Sequence, residues 1–268
     1  MLTRPGAGAD GTPLVSVIMP MHDAEPFVAA SIRSVQAQTV PDWELLVVDD
    51  SSTDASVTVA RGAAEADSRI RVLCNDGARG AGPTRNVGIA AARGRYIAFL
   101  DSDDLWLPTK LERQLALFEV TGAPLVYSAY YKIDPDFAGD AVDFVPNGRV
   151  VRAPDRLTYR DMLRQDYIGF LTAVYDTAVL GKRTLPSIQR RQDYAMKLAI
   201  LREGYVARGL SEPLALYRAG RPGSLSANKL VVARYNWHIY RHVEALPLPR
   251  AVWAFANYAV RSGLKFLI

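Results

Sequence analysis

Residues 96–104 read Tyr-Ile-Ala-Phe-Leu-Asp-Ser-Asp-Asp, and this stretch decides the fold of the chain. Its five apolar and aromatic residues predict a short buried strand, which ends where the carboxylates begin. Carboxylates placed this closely repel one another unless a cation or hydrogen-bond donors neutralise them. The run therefore indicates either a site for a hard divalent ion such as Mg²⁺ or Mn²⁺, or a solvated turn that caps the helix beginning near Pro108.

Three more apolar runs precede this strand, and a segment with helical periodicity follows each of them. Strands that alternate with helices at this spacing predict an α/β fold with a mostly parallel sheet and helices on both faces. Ligands of such sheets bind beyond the carboxyl ends of the strands, which is where the acidic residues of this chain fall. The predicted strands are 14–19, 43–48, 70–73 and 96–100, and the predicted helices between them are 24–38, 55–66 and 84–92.

The second half of the chain has a less regular pattern. A polar stretch at 134–147 predicts loops or an edge hairpin, and the Gly-Arg-Pro-Gly stretch at 220–223 predicts a domain boundary. We therefore divide the chain into a flexible leader (1–12), an α/β domain (13–220) and a C-terminal helical extension (221–268). The further predicted elements are a strand at 124–131 and helices at 110–121, 190–204, 227–245 and 250–266.

Composition excludes several classes of protein. Hydrophobic residues make up 49% of the chain and charged residues 22%, as in soluble globular proteins, and the net charge of +4 is too small to predict nucleic-acid binding. The basic residues concentrate in the second half, which suits either a surface facing anionic lipid or phosphate, or solvated helix faces. A single cysteine, Cys74, excludes an internal disulfide. Without a secretory signal or an apolar run of ~18–20 residues, we expect a cytoplasmic protein.

Two further polar segments lie at the predicted ligand edge. In the acidic turn 49–54, a carboxylate can accept from the imide N–H of a uracil, although Asp, Ser and Thr also suit a helix N-cap. The glycine-rich segment 80–88 leads into a helix, so its backbone N–H groups and Arg85 can meet a diphosphate. The alternative is a loop that carries a surface arginine.

Taken together, the segments 14–20, 47–54, 84–88 and 96–104 resemble the motifs of family 2 glycosyltransferases in order and approximate spacing. These are inverting enzymes with a GT-A fold, and the resemblance covers roughly residues 13–220. It implies a nucleotide-sugar site formed by Pro20, Asp23, Asp50, Arg85, Asn86, Asp101, Ser102 and Arg218. It implies a metal site formed by Asp103 and Asp101, with Asp104 as a neighbouring candidate ligand.

Within that site the resemblance implies separate tasks. Asp50 resembles the nucleobase contact, with Pro20 and Asp23 lining the same pocket, while Arg85 and Asn86 lie beside the ribose and diphosphate. Tyr217 and Arg218, together with the segment 221–226, resemble a mobile loop that closes over the donor phosphates. The segment 168–176 resembles an acceptor-side strand.

Asp193 resembles the catalytic base of the family. Residues 190–194 read Arg-Arg-Gln-Asp-Tyr, where the family usually has Glu-Asp followed by an aromatic residue. An inverting transfer needs one carboxylate to take the proton of the acceptor hydroxyl as that oxygen attacks the anomeric carbon. The alternative is an N-cap of the following helix. Departures from the family pattern are Gln192 in place of Glu, His22-Asp23 after the first strand, and Ser51-Ser52 after the acidic pair.

The resemblance implies an inverting, metal-dependent hexosyl- or N-acetylhexosaminyltransferase that uses Mn²⁺ or Mg²⁺. Its donor would be a nucleotide diphosphate sugar such as a UDP-sugar. Its acceptor would be a hydroxyl of a saccharide or lipid-linked saccharide in the synthesis of capsule, lipopolysaccharide or a similar surface polysaccharide. Two alternatives remain. A nucleotidyltransferase would need a glycine-rich pyrophosphate loop directly after the first strand, and a non-catalytic nucleotide-sugar-binding module would not need Asp101, Asp103 and Asp193 together.

The predicted C-terminal helix suggests a second partner. Residues 250–268 are rich in aromatic and aliphatic side chains, and the cations Arg250, Arg261 and Lys265 are spaced by about one helical turn or multiples of it. This composition is typical of a helix lying in a membrane interface, which would place the protein on the inner face of the cytoplasmic membrane. The alternative is a helix that packs on the α/β domain or on a second subunit.

Overall fold

The computed structural model describes residues 11–220 and 229–264. The described strands are β1 (Val15–Met21), β2 (Trp43–Asp49), β3 (Ile70–Cys74), β4 (Tyr96–Phe99), β5 (Leu105–Trp106), β6 (Leu125–Ile133), β7 (Val150–Val151), β8 (Arg156–Leu157), β9 (Val174–Asp176) and β10 (Ala207–Arg218). The described helices are α1 (Glu25–Gln36), α2 (Ser56–Ala66), α3 (Ala81–Ala91), α4 (Lys110–Thr121), α5 (Tyr159–Arg164), α6 (Thr177–Leu180), α7 (Gln192–Arg202), α8 (Lys229–His238) and α9 (Leu248–Leu264). Short helical turns lie at Ala141–Asp143, Phe170–Thr172 and Ile239–Val243.

The strands form one sheet in the order β3-β2-β1-β4-β9-β6-β10-β5, with β7 beside β6 and β8 beside β10. The first four strands pair in parallel, as the alternation of strands and helices predicts. Beyond them the sheet is mixed, because β9 runs antiparallel to both β4 and β6, while β10 runs parallel to β6. The short strand β7 forms the edge hairpin expected next to the 134–147 segment.

Side chains of the central strands alternate between two cores, one on each face of the sheet. Ile18 of β1 belongs to one core, whereas its neighbours Val17 and Met19 belong to the other. Helix α3 lies close against the first face at Gly88, where a Cβ atom would come within 2.7 Å of the Ile18 side chain. A glycine is therefore needed for α3, which carries Arg85, to lie this close to β1.

The C-terminal helices share the first core. Tyr240, Ala251 and Ala254 are fully buried within it, and the hydroxyl of Tyr240 lies 3.1 Å from that of Tyr194 in α7. The predicted division at residue 220 stays a prediction, but the described residues on both sides of it pack as one hydrophobic unit. The predicted leader before residue 11, the loop 221–226 and the last four residues of the predicted membrane helix lie outside the described residues. None of the described helices has the length and apolarity needed to cross a membrane.

Strand β10 is the largest element that the sequence pattern does not predict. Its pairing with β6 shifts register between Leu210 and Pro213 and again between Pro213 and Leu216. Each shift interrupts the two-residue alternation of side chains that identifies a strand, and Pro213 cannot donate to the ladder. Its position in the sheet therefore depends on a partner strand some 80 residues earlier in the chain.

Candidate active site

The acidic turn after β4 is fixed to its surroundings by its backbone. Ser31 Oγ of α1 donates to the carbonyl oxygens of Ser102 (2.9 Å) and Asp104 (2.8 Å). The Asp104 carboxyl is 1% exposed at residue level, and its Oδ1 accepts from the backbone N–H of Arg218 at 2.8 Å. Asp104, a candidate metal ligand from the sequence, is thus turned into the protein, where it ties the turn to β10.

Three carboxyl groups within four residues repel one another in this turn. Burial, together with the charges of Asp103 and Asp101, raises the pKa of Asp104 well above its ordinary value. The Asp101 carboxylate pairs with the guanidinium of Arg85, and its side chain remains 36% exposed. A cation bound at Asp101 and Asp103 would reduce the repulsion among these carboxyl groups.

The donor set of this turn fits a divalent ion that takes few ligands from the protein. Among the described residues, no group of three or more His, Cys, Asp and Glu side chains is arranged as a metal site. Mg²⁺ characteristically uses one or two carboxylates and completes its shell with water and substrate phosphate oxygens. Asp101 and Asp103 match that pattern, whereas a closed cage of protein ligands does not occur here.

Arg85 lies between the acidic turn and the rest of the site. Its side chain is 9% exposed, and its guanidinium lies over the ring of Phe170, 5.1 Å from the centroid. Its Nε is buried and makes no hydrogen bond within residues 11–220 and 229–264. Since a buried donor without a partner is costly, Arg85 retains capacity for an anionic ligand.

The Asp50 carboxylate holds the glycine-rich segment that leads into α3. Its Oδ1 accepts from Asn75 Nδ2 and its Oδ2 accepts from the backbone N–H of Gly80, both at 2.8 Å. His22 Nδ1 lies 3.0 Å from the Asp50 carbonyl oxygen. Asp50, the predicted nucleobase contact, therefore also anchors this segment, and its carboxylate oxygens already accept two hydrogen bonds.

The other predicted pocket residues line the same edge. Pro20 is buried within β1, and Asp23 has a positive φ of 44°. Asp23 Oδ1 accepts from the backbone N–H of Thr53 at 2.7 Å, and this hydrogen bond is the main cause that lowers its pKa. The contact joins the two loops that follow β1 and β2.

Asn86 has a different partner from the one that the resemblance implies. Its Nδ2 donates to the Leu185 carbonyl at 2.9 Å, and its Oδ1 accepts from the Leu185 N–H at 2.7 Å. The amide therefore clamps the segment before α7 onto α3. A contact of Asn86 with the nucleotide stays a prediction.

The resemblance led us to expect Tyr217 and Arg218 in a mobile loop. Instead, both are the last residues of strand β10, and Arg218 is 4% exposed. Its guanidinium donates to the carbonyls of Asp103 (2.9 Å) and Phe137 (2.6 Å), and it lies over the ring of Phe27. Strand pairing and these carbonyl groups hold the Arg218 side chain in place, and its hydrogen bond to the Asp103 carbonyl supports the backbone of the acidic turn.

Helix α7 carries Asp193 to the same edge of the sheet. The N-cap position of α7 is occupied by Arg191, so Asp193 lies inside the first turn and is not the N-cap. The preceding residue, Gln192, packs on Gly82 at the start of α3, where a Cβ atom would meet its Cγ at 3.0 Å. This contact brings the first turns of α3 and α7 together.

Asp193 belongs to a cluster of four charged side chains. Lys197, one turn later on α7, is 1% exposed, and its Nζ lies 3.0 Å from Asp193 Oδ2 and 3.0 Å from Asp166. Arg191 Nη1 lies 3.4 Å from Asp166 Oδ2. Burial raises the pKa of Asp193, but the charges of Lys197 and Arg191 outweigh it and hold this pKa well below its ordinary value.

The sequence analysis did not identify Asp166 or Lys197, and it included Phe170 only as part of the predicted acceptor-side segment 168–176. The i, i+4 spacing of Asp193 and Lys197 was the one available signal, because residues four apart are neighbours on a helix. Asp166 lies 27 residues earlier, in an irregular segment, and Phe170 lies in a short helical turn. Only the tertiary fold brings Asp166 and Phe170 close to Lys197 on α7.

Comparisons with known proteins identify the family of the chain. The sequence profile described as Glycosyl transferase family 2 matches residues 16–175. TuaG of Bacillus subtilis (strain 168), a protein assigned to teichuronic acid biosynthesis as a glycosyltransferase, is 38% identical over 95% of this chain and 98% of its own length. WfgD of Escherichia coli, named as a UDP-Glc:alpha-D-GlcNAc-diphosphoundecaprenol beta-1,3-glucosyltransferase, is 35% identical over 94% of each chain.

Solved structures share the fold at low sequence identity. Residues 1–349 of S. aureus TarS in complex with UDP-GlcNAc give a TM-score of 0.68 at 18% identity, covering 91% of this chain and 71% of that one. The mannosyltransferase PcManGT from Pyrobaculum calidifontis, in complex with GDP-Man and Mn²⁺, gives 0.59 at 18% identity, covering 93% of this chain and 74% of that one. The likeness confirms the predicted GT-A α/β fold.

Proposed function

Because the chain belongs to glycosyl transferase family 2, we propose that it transfers a sugar with inversion from a UDP-sugar to a hydroxyl of a lipid-linked saccharide. It is a glycosyltransferase of cell-surface polysaccharide synthesis, in keeping with relatives that match it over nearly its whole length. The choice of UDP and of a lipid-linked acceptor is supported by the name of WfgD, in which both occur. The sugar is a hexose or an N-acetylhexosamine.

The donor site lies along the carboxyl ends of β1, β2 and β4. Asp50, with Pro20 and Asp23 beside it, faces the nucleobase, and Arg85 meets the diphosphate with the donor capacity that its buried Nε retains. Asn86 and Ser102 lie next to this path, and Arg218 supports it from β10. Asp101 and Asp103 would hold Mn²⁺ or Mg²⁺, which when bound neutralises the charge of the leaving diphosphate.

Asp193 takes the proton of the acceptor hydroxyl. As the acceptor oxygen forms its bond to the anomeric carbon, the bond from that carbon to the β-phosphate oxygen breaks on the opposite face. The bonding electrons leave with the nucleoside diphosphate, and the proton passes to the Asp193 carboxylate. The carboxylate is ionised near neutral pH, because the charges of Lys197 and Arg191 hold its pKa down despite burial.

One observation supports this proposal most: Gln192 packs on Gly82, so the Asp193 carboxylate, 26% exposed, lies in a helical turn next to the start of α3. A nucleotidyltransferase has no need of a base at this position, and a binding module has no need of an ionised one. The experiment is incubation of the purified chain with UDP-glucose or UDP-N-acetylglucosamine, Mn²⁺ and a GlcNAc-diphospholipid acceptor. We expect free UDP and a glycosylated lipid in equal amounts. Release of pyrophosphate, or tight UDP binding without turnover on any acceptor, would contradict the proposal.

We further propose that α9 contacts an anionic membrane surface. Leu248 (55% exposed), Val252 (50%) and Val260 (62%) lie along one side of the helix at multiples of four residues, and Arg250 and Arg261 are exposed nearby. Apolar side chains flanked by cations suit the boundary between headgroups and acyl chains. Removal of α9 is a poor test, because Ala251 and Ala254 lie in the core.

Point substitutions on the exposed side of α9 test the membrane contact. The variant Val252→Ser/Val260→Ser should lose sedimentation with liposomes that contain phosphatidylglycerol, while UDP binding stays unchanged. The matched control is Val120→Ser/Val145→Ser, which alters two exposed valines outside α9. Equal sedimentation of both variants would contradict the membrane contact.

A further inference from the structure

The charged cluster at Asp193 contains two members to which the proposed reaction assigns no task, Asp166 and Lys197. The Lys197 ammonium is buried and has three N–H donors. Its Nζ lies 3.0 Å from Asp193 Oδ2, 3.0 Å from the Asp166 carboxylate and 2.7 Å from the Ile168 carbonyl oxygen. Acceptors from two separate parts of the chain therefore fix the direction of each donor.

This arrangement fixes one oxygen of Asp193 and leaves the other available. Oδ2 accepts from Lys197, whereas Oδ1 makes no hydrogen bond to any other residue in the described ranges. The side chain is 26% exposed, so Oδ1 can be reached from solvent. A carboxylate held by one oxygen has a defined orientation toward an incoming hydroxyl.

The four side chains of the cluster carry balanced charges. Asp193 and Asp166 carry two negative charges, and Lys197 and Arg191 carry two positive charges, with Arg191 Nη1 only 3.4 Å from Asp166. Arg85 lies outside the cluster and pairs with Asp101, but its charge also acts on Asp193. Without Asp166, these cations would act on Asp193 alone, and a carboxylate stabilised so strongly in its ionised form accepts a proton poorly.

We propose that Asp166 is a positioning residue for sugar transfer: it holds Lys197 in place and offsets its charge, so that Asp193 is oriented without losing its ability to accept a proton. The proposal rests on the proposed role of Asp193. The proton still passes only from the acceptor hydroxyl to Asp193, and neither Lys197 nor Asp166 gains or loses one. Asp166 contributes the geometry and the compensating charge.

The first test replaces Asp166 without changing its shape. Asp166→Asn should lower kcat for transfer at least about tenfold, because Lys197 loses a charged partner and Asp193 becomes a weaker base. The KM for the UDP-sugar should stay unchanged, since the partners of Asp166 among the described residues all belong to the charged cluster or to its own loop. Asp166→Glu restores the charge and should recover part of kcat.

The second test uses the pH profile, whose acidic limb reports ionisation of the base. Lys197→Met should move the acidic limb of kcat/KM upward, because burial then raises the pKa of Asp193 without the cation that opposed it. Asp166→Asn should leave the limb in place or move it downward, because it removes a negative charge from the surroundings of Asp193. If Asp166 and Lys197 served only in packing, the two variants would not differ in the direction in which the acidic limb moves.

The possible outcomes separate this proposal from the proposed function. If Asp166→Asn has the kcat of the wild type, or if both variants move the limb upward, the positioning role is wrong. If Lys197→Met fails to fold, the two Asp166 variants decide alone. An equal loss of kcat in Asp166→Asn and Asp166→Glu overturns the proposal, and a partial recovery of kcat in Asp166→Glu supports it. Wild-type chain without transfer activity, or an active Asp193→Asn variant, overturns the proposed function and this role with it.

Discussion

The acidic turn after β4 and the cluster around Asp193 lie on either side of Arg85, yet their surroundings act on a carboxyl group in opposite ways. In the turn, burial and the charges of Asp103 and Asp101 raise the pKa of Asp104. Around Asp193, Lys197 and Arg191 stand against two carboxylates, and the pKa of Asp193 is held below its ordinary value. The difference teaches that carboxyl groups placed side by side oppose one another's ionisation, whereas carboxyl groups placed around buried cations are kept ionised.

The largest effect should follow from a change in the acidic turn. Asp103→Asn removes one of the two accessible carboxylates, so we expect UDP affinity in the presence of Mn²⁺ to fall to its metal-free value and transfer to stop. Calorimetry with and without Mn²⁺ measures this, and Asp143→Asn, at an exposed carboxylate outside the acidic turn, is the matched control. Unchanged Mn²⁺-dependent affinity would show that Asp103 does not bind the metal.

A change in the balanced cluster should separate binding from chemistry. Asp193→Asn keeps the shape of the side chain but cannot accept the proton, so kcat should fall ~100-fold or more while UDP affinity stays close to that of the wild type. Steady-state kinetics and calorimetry on the same preparation measure the two quantities. Turnover within a few-fold of the wild type would mean that the base lies elsewhere.

Arg85 connects the two regions, since it pairs with Asp101 and its charge also lowers the pKa of Asp193. Arg85→Gln should weaken Mn²⁺-dependent UDP binding about tenfold, the loss expected for one charge-assisted hydrogen bond. Arg79→Gln, at an exposed arginine of the preceding loop, is the control. If both variants bind UDP equally well, Arg85 does not meet the diphosphate.

The smallest effect should come from Asn86, which ties α3 to the segment before α7 through the backbone of Leu185. Asn86→Ala should lower the free energy of unfolding by about 1–2 kcal/mol and transfer by a few-fold, with UDP affinity unchanged. Denaturant titration and calorimetry test this. A clear loss of UDP affinity would instead support the nucleotide contact that the family resemblance implies.

The sequence predicted the parallel half of the sheet closely, because β1 to β4 are mostly apolar runs that end at polar turns. The mixed half of the sheet was harder to predict, since register shifts interrupt the side-chain alternation of β10 and its position depends on pairing with β6. The same contrast holds for the site. Asp101 and Asp103 form a local cluster that is visible in the sequence, but Asp166 and Lys197 lie 31 residues apart and resemble ordinary surface charges until the fold buries them.

The pairing of β4 with β9 has a consequence for synthesis on the ribosome. Strands β1 to β4 can assemble once the first hundred residues have emerged, but the free edge of β4 is covered only by Val174–Asp176 of β9. At ordinary elongation rates, residues 100 to 173 take roughly 4 to 15 s to add. During that interval Tyr96–Phe99 presents an open, apolar strand edge, which is a template for pairing with other nascent chains. The yield of folded protein should therefore depend on translation speed and chaperone supply as well as on the stability of the finished sheet.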